Sequence, residues 1–153
     1  PILFMKKYIY TIALLLSPQL CAQITILEQL SFGKLVISNN HIVSSLTLQT
    51  SNTSNFTNNI TLFEKGHVGQ LLLEGFPARV QINVSDFVSD QPMSNIFGGP
   101  PLVLNRLIYN SPLFTNSLGT ALLRVGGQIS TTGDGRSYND GNYNTTVEVE
   151  ISF

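Results

Sequence analysis

The side chains whose types and spacing could support acid–base or metal chemistry are few: His41 and His67, Asp86 with Asp90, and Asp134 with Asp140. Each histidine stands beside a predicted turn at a strand start. Neither takes part in a His-x-His or Glu-x-x-His spacing, so both read as exposed turn residues rather than ligands or general bases. The stretch Gly133-Asp134-Gly135-Arg136-Ser137-Tyr138-Asn139-Asp140-Gly141-Asn142 is rich in oxygen donors. Calcium takes about six to eight oxygens in a flexible shell, so such a loop is its natural seat. Here, however, the Asp-x-Asp-x-Asp spacing is missing and Arg136 adds a positive charge. A loop that uses Asp and Gly for their tolerance of positive φ explains the same residues. No serine lies in a Gly-x-Ser-x-Gly elbow. The sequence therefore points to a chain without catalytic residues, metal or cofactor.

The elements that surround these residues are strands. The 153 residues suffice for one well-buried domain and are too few for two ordinary ones. Of them 42% are apolar but only 11% charged, against roughly 25% charged for an average soluble domain, so Ser, Thr, Asn and Gln carry the solubility. With 8 basic and 9 acidic residues, no net charge attracts nucleic acid or an anionic membrane.

Met5-Lys6-Lys7 followed by a short apolar run to Leu16 has the form of a secretory signal peptide, with cleavage expected after Ala22. The run is too short to span a bilayer. Residues 1–22 are thus read as a leader, with 1–4 upstream of the natural start, and 23–153 as a single exported domain. Leu20 before Cys21 departs from the small residue of a lipoprotein signal, and cleavage after Ala22 leaves no cysteine for a disulfide. Asn-x-Ser/Thr occurs at Asn52, Asn55, Asn59, Asn83 and Asn144; glycan acceptors in a eukaryotic secreted protein, they carry no information behind a leader of bacterial form.

Ile24, Ile26, Leu30 and Phe32 fall on one face of a first strand that is expected to stop at Gly33. Asn39-Asn40 predicts a hairpin between 35–37 and 41–48, and residues 64–67 predict another between 60–63 and 68–73. Residues 49–59 read as a loop or sheet edge, and 79–84 as an alternating strand. Residues 86–101, with Pro92, Gly98-Gly99 and Pro100-Pro101, read as the crossover between sheets. Two short strands are expected on either side of Asn105-Arg106. In 120–130 a long apolar strand contains Gly126-Gly127, the mark of a bulge or close backbone approach. Last, Val147, Val149, Ile151 and Phe153 alternate with polar residues, giving the closing strand one core face. No capped helical period follows the leader. The expectation is an all-β, immunoglobulin-like antiparallel sandwich of about seven to nine strands, with a closed barrel as the alternative.

Leu30-Ser31-Phe32-Gly33, Val68-Gly69-Gln70-Leu71-Leu72-Leu73-Glu74-Gly75-Phe76-Pro77-Ala78, Arg124-Val125-Gly126-Gly127-Gln128-Ile129 and Gly141-Asn142-Tyr143-Asn144-Thr145-Thr146-Val147-Glu148-Val149 resemble, in order, the motifs of domain family 4402, a bacterial secreted family of unknown function. Ala78 departs from that pattern where glycine is usual, and Thr145 where a small residue or glycine is usual. The resemblance implies a secreted module and carries over no catalytic residue. The ending, with Gly141, Tyr143, Val147, Val149, Ile151 and Phe153, also resembles pilus subunits assembled by periplasmic chaperones. That likeness implies β-augmentation, in which an extended segment completes an open sandwich. Ile24 and Ile26 would then be donor residues, or else part of the domain's own first strand.

The first functional expectation is accordingly a non-catalytic structural or adhesion module of the periplasm or cell surface, of fimbrial type. It would self-associate or meet a chaperone through strand addition at Ile24, Ile26, Val147, Val149, Ile151 and Phe153. A glycan- or ligand-binding sandwich is the alternative, though tryptophan is absent; a β-sandwich hydrolase ranks third.

Overall fold

The computed structural model describes residues 21–153. Apart from Cys21 and Ala22, the predicted leader lies outside the described residues. In chain order the strands are β1 (Gln23–Glu28), β2 (Ser31–Ile37), β3 (Ser45–Leu48), β4 (Ser54–Phe56), β5 (Ile60–His67), β6 (Gly69–Glu74) and β7 (Gln81–Asp86). They continue with β8 (Gln91–Asn95), β9 (Leu102–Tyr109), β10 (Leu113–Phe114), β11 (Ala121–Ser130), β12 (Tyr143–Asn144) and β13 (Val149–Ser152). The described chain is an all-β antiparallel sandwich, as its alternating apolar patterns predict. No helix among the described residues is long and apolar enough to cross a membrane.

The larger layer is a curled sheet ordered β1-β6-β11-β9-β8-β12. Strand β11 is its hub. Residues 121–125 pair with β6, residues 127–130 pair on that same side with β3, and β9 runs along the other side. At the handover stands Gly126, where a Cβ would lie 2.1 Å from the Leu48 carbonyl oxygen. The close approach predicted for Gly126-Gly127 is therefore real, and it is the end of β3 that approaches. The bulge lies on β9 instead: Leu104 pairs with Ile129 and Arg106 with Gln128, so Asn105 is the extra residue. Its side-chain amide donates to Asp90 at 2.8 Å. Residues 102–109 form one strand, not the two expected, because a bulge absorbs Asn105 without ending the ladder.

The second layer consists of β10-β7-β13 and, separately, β2-β5. Neither predicted hairpin forms. Strands β5 and β6 are almost continuous: β5 pairs with β2 in the smaller layer and β6 with β1 in the larger. The two segments make one long ribbon that bends between the layers at Leu30 and Val68. Gly33 and Gly66 permit its tight crossing, since a Cβ on either would lie about 2 Å from a carbonyl oxygen of the facing strand. A second ribbon, of β7-β8 with β12-β13, bends the same way. Its bend confirms 86–101 as the place where the chain changes sheets, although β8, Pro92 included, is a strand in its own right. Four continuous segments are each divided in two by these bends, which accounts for the thirteen strands.

Between β2 and β3 the chain does not turn back on itself. Asn40, 3% exposed, instead receives the glycine-rich loop 131–142. Its Oδ1 accepts from Gly133 N at 2.8 Å, and its Nδ2 reaches Thr132 Oγ1, Asp134 Oδ1 and the Arg136 carbonyl at 2.8–3.0 Å. Leu46, Ile60, Leu73, Leu123 and Ile129, all under 2% exposed, form the centre of the core. Each contributes about 1.5–3 kcal/mol by leaving water.

Candidate functional site

The residues singled out for acid–base or metal chemistry are dispersed. His41 lies in the β2–β3 connection, while His67 ends β5 with Nδ1 3.2 Å from Glu28 Oε1. Asp134 is engaged by Arg136 at 2.6 Å, which holds its carboxyl below the ordinary value through the guanidinium hydrogen bond. Asp90 accepts from Asn105 and Asp86 from the Tyr109 hydroxyl. Among the described residues no group of three or more His, Cys, Asp and Glu side chains is placed to hold a metal ion.

Tyr109 and Asp86 make a pH-sensitive pin between β9 and β7. Burial first, and then the hydrogen bond to Asp86, push the phenol above its usual value of 10.0. The folded chain thus holds this proton more tightly than the unfolded chain. The stabilisation is complete below pH ~10 and is lost as pH rises further. Urea unfolding of wild type and Tyr109→Phe at pH 9 and pH 11 should show the wild-type advantage shrinking at the higher pH. A constant difference would mean that the phenol is not held in this way.

The feature with the form of a site is an open cleft of about 1280 Å³ between the layers, larger than the roughly 300–1,000 Å³ of ordinary small-molecule pockets. Its floor is the inner face of the larger sheet, including Met93, Leu104, Val125 and Ile129. One wall is β2, all of whose residues line it, whereas its partner β5 contributes only Phe63. The free edge of β2 therefore faces the cleft. The opposite wall is the segment from Tyr143 through Val149 that leads into β13, a strand paired only with β7. Two sheet edges thus face each other across an apolar floor, and among the described residues neither has a strand partner on the cleft side, although Gln91 Nε2 donates to the Thr146 carbonyl.

Of the six residues expected to take part in strand addition, Ile24, Ile26, Val147 and Val149 line this cleft. Ile24 and Ile26 lie at its mouth, on an edge strand that no second layer covers among the described residues. Ile26 is 63% exposed, so the core face expected for the first strand is corrected. The strand also breaks at residues 29–30 and resumes through Gly33 rather than stopping there. Ile151 is half-buried against the core, opposite Val84. Phe153 is 64% exposed with its ring edge-on to Phe76 at 5.5 Å. The polar partners Glu148, Glu150 and Ser152 face solvent while Val147, Val149 and Ile151 pack against the core, so the two faces are as predicted except at Phe153, which is exposed. It pairs through the second ribbon: β12 joins β8 and β13 joins β7.

The β2 wall was not anticipated as part of a site. Its one signal is irregular alternation: Phe32, Leu35 and Ile37 are half-buried while Val36 is exposed, because the register slips between Lys34 and Leu35. In the facing wall Tyr138 and Tyr143 stack edge to face at 5.9 Å. Both hydroxyls are occupied within the protein, Tyr138 donating to the Pro101 carbonyl and Tyr143 to the Asn139 carbonyl. No family model matches the chain, and no curated protein or solved structure matches it.

Proposed function

We propose that the chain is an exported, non-catalytic structural module of fimbrial type, completed by an extended strand that a second copy or an assembly chaperone lays into the cleft. The observation that carries this reading is the pair of edges, β2 and the segment entering β13, that face each other over apolar side chains with no strand between them among the described residues. Main-chain hydrogen bonds to both edges would supply affinity, and alternate side chains on the floor would supply specificity. Every step from β1 to β12 across the large sheet is antiparallel, and β2 and β13 continue those two strands. The walls therefore run in opposite directions, and an added strand pairs parallel with one and antiparallel with the other. The resemblances to domain family 4402 and to pilus subunits agree with such a module. Internal use of the two tyrosine hydroxyls makes the wall poorly suited to glycan recognition.

The test is the assembly state of the chain exported to a bacterial periplasm, with and without residues 23–29. In such an assembly β1 exchanges its place beside β6 for a neighbour's cleft, so heat-resistant oligomers that collapse to monomers on truncation are the expected result. A monomer at every concentration that unfolds on truncation would show that β1 serves only its own sheet, and the proposal would fall.

A further inference from the structure

An imidazole and a carboxylate meet where β1 ends. His67 Nδ1 is shielded from solvent and makes no hydrogen bond, yet it lies 3.2 Å from Glu28 Oε1. A contact without hydrogen-bond alignment contributes through charge, so its strength depends on whether the imidazole carries a second proton.

The two partners differ in how firmly they are held. His67 is the last residue of β5 and stands opposite Ser31 of β2. The residue after it, Val68, is fully buried, and its N–H donates to Asn52 Oδ1 at 2.9 Å. Glu28 is the last residue of β1, which among the described residues pairs with β6 alone. Leu27 is an extra residue in that ladder, between the pairs Ile26–Leu71 and Glu28–Gln70, so the main-chain hold on β1 is interrupted where the side-chain contact sits. Leu30, two residues further, packs against the core. A β1 that leaves its sheet therefore pivots at residues 28–29, and the Glu28–His67 contact spans the pivot.

The other charges around His67 are few. Strand β2 carries Lys34, paired with Glu64 of β5 at 2.7 Å, and β5 adds Lys65. On β6 the residue beside Glu28 is Gln70, with Arg124 of β11 on its other side, and Glu74 stands at the far end of the strand. Strands β3 and β4 and the turn 49–53 between them carry no charge.

We infer that Glu28 and His67 form a pH-dependent latch on β1: a protonated His67 fastens β1 to its own sheet, and a neutral His67 releases it to enter a neighbour's cleft. The latch follows from the geometry at the pivot, whereas the fate of the released strand rests on the strand-addition reading. Histidine ordinarily changes charge between pH 5 and 8, while glutamate is ionised from about pH 5 upward. The attraction is thus present near pH 5.5 and lost as pH rises to 7.5. Both side chains are half-exposed, and ion pairs of that kind shift an equilibrium by up to about fivefold.

The test is amide exchange of residues 24–28 in the full exported chain, corrected for the intrinsic effect of pH. Opening of β1 should be about two- to fivefold more frequent at pH 7.5 than at pH 5.5, and heat-resistant oligomers should form faster at pH 7.5 by a similar factor. Glu28→Gln and His67→Gln should each level both differences, and His41→Gln, which removes the other histidine, should leave them. Equal opening at the two pH values, or a pH dependence that survives in Glu28→Gln, overturns the latch; oligomers forming equally at both would leave strand addition standing. Opening that follows the latch without oligomers at either pH would do the reverse, removing strand addition and keeping the latch as a fastening of β1 within its own sheet.

Discussion

Replacing Gly126 by alanine is expected to lower the stability of the domain by about 3 kcal/mol or more, at the upper end of overpacking penalties. The added Cβ would lie 2.1 Å from the carbonyl oxygen of Leu48, a backbone atom that cannot rotate away. Either β3 must leave β11 or β11 must shift against β9, and both movements open the core around Leu46, Leu48 and Ile129, which are at most 1% exposed. Gly98 is the control. Its φ of +78° disfavours alanine, but nothing lies within 4 Å of the new methyl, so the cost there should be about 1 kcal/mol. Denaturant unfolding of the two variants decides the matter, and equal losses would mean that β3 does not press on β11 as described.

The second large effect is expected at Asn40. Alanine there removes the acceptor for Gly133 N and the donor to Thr132, Asp134 and Arg136, and since these partners are half-buried or exposed the loss is that of the hydrogen bonds themselves, about 0.5–1.5 kcal/mol each. These losses are not additive, and a net cost of about 3 kcal/mol is expected. Asn40→Asp keeps the shape but turns the donor into a carboxylate facing the Asp134 carboxylate, so at neutral pH it should be worse than alanine. Amide exchange in residues 131–142 reads the effect locally. If those amides stay protected in Asn40→Ala, the loop is held by something other than this side chain.

How far the sequence shows this architecture depends on the distance over which each feature is decided. Alternation in Val80, Ile82 and Val84 and the paired glycines at 126–127 are local signals, and both lead to the observed elements. Residues 64–67 are also a local signal, but they mark a bend between layers and not a reversal, because the partners of β5 and β6 lie in residues 23–37. A turn and a bend require much the same residue types. Asn39-Asn40 has the composition of a hairpin turn, yet the hydrogen bonds that place Asn40 span 92 to 96 residues, beyond any windowed reading. The cleft is the least legible feature. Its walls, residues 31–37 and 143–149, come from near the two ends of the described chain, and nothing local in either segment marks the other as the facing wall. Only the residues of the second wall and of β1, with their visible alternation, could be picked out beforehand.

The position of the hub late in the chain governs when the molecule can fold. Strand β11 pairs with β3, β6 and β9, so the larger sheet has no centre until residues 121–130 are available, and β12 and β13 join later still. Closing such long loops costs entropy before any contact repays it, and topologies of this kind fold in about milliseconds to seconds rather than microseconds. A chain that emerges N-terminus first has therefore released most of its length before it can commit to the native structure. Until then it is an extended, strand-forming polymer that other molecules can still capture.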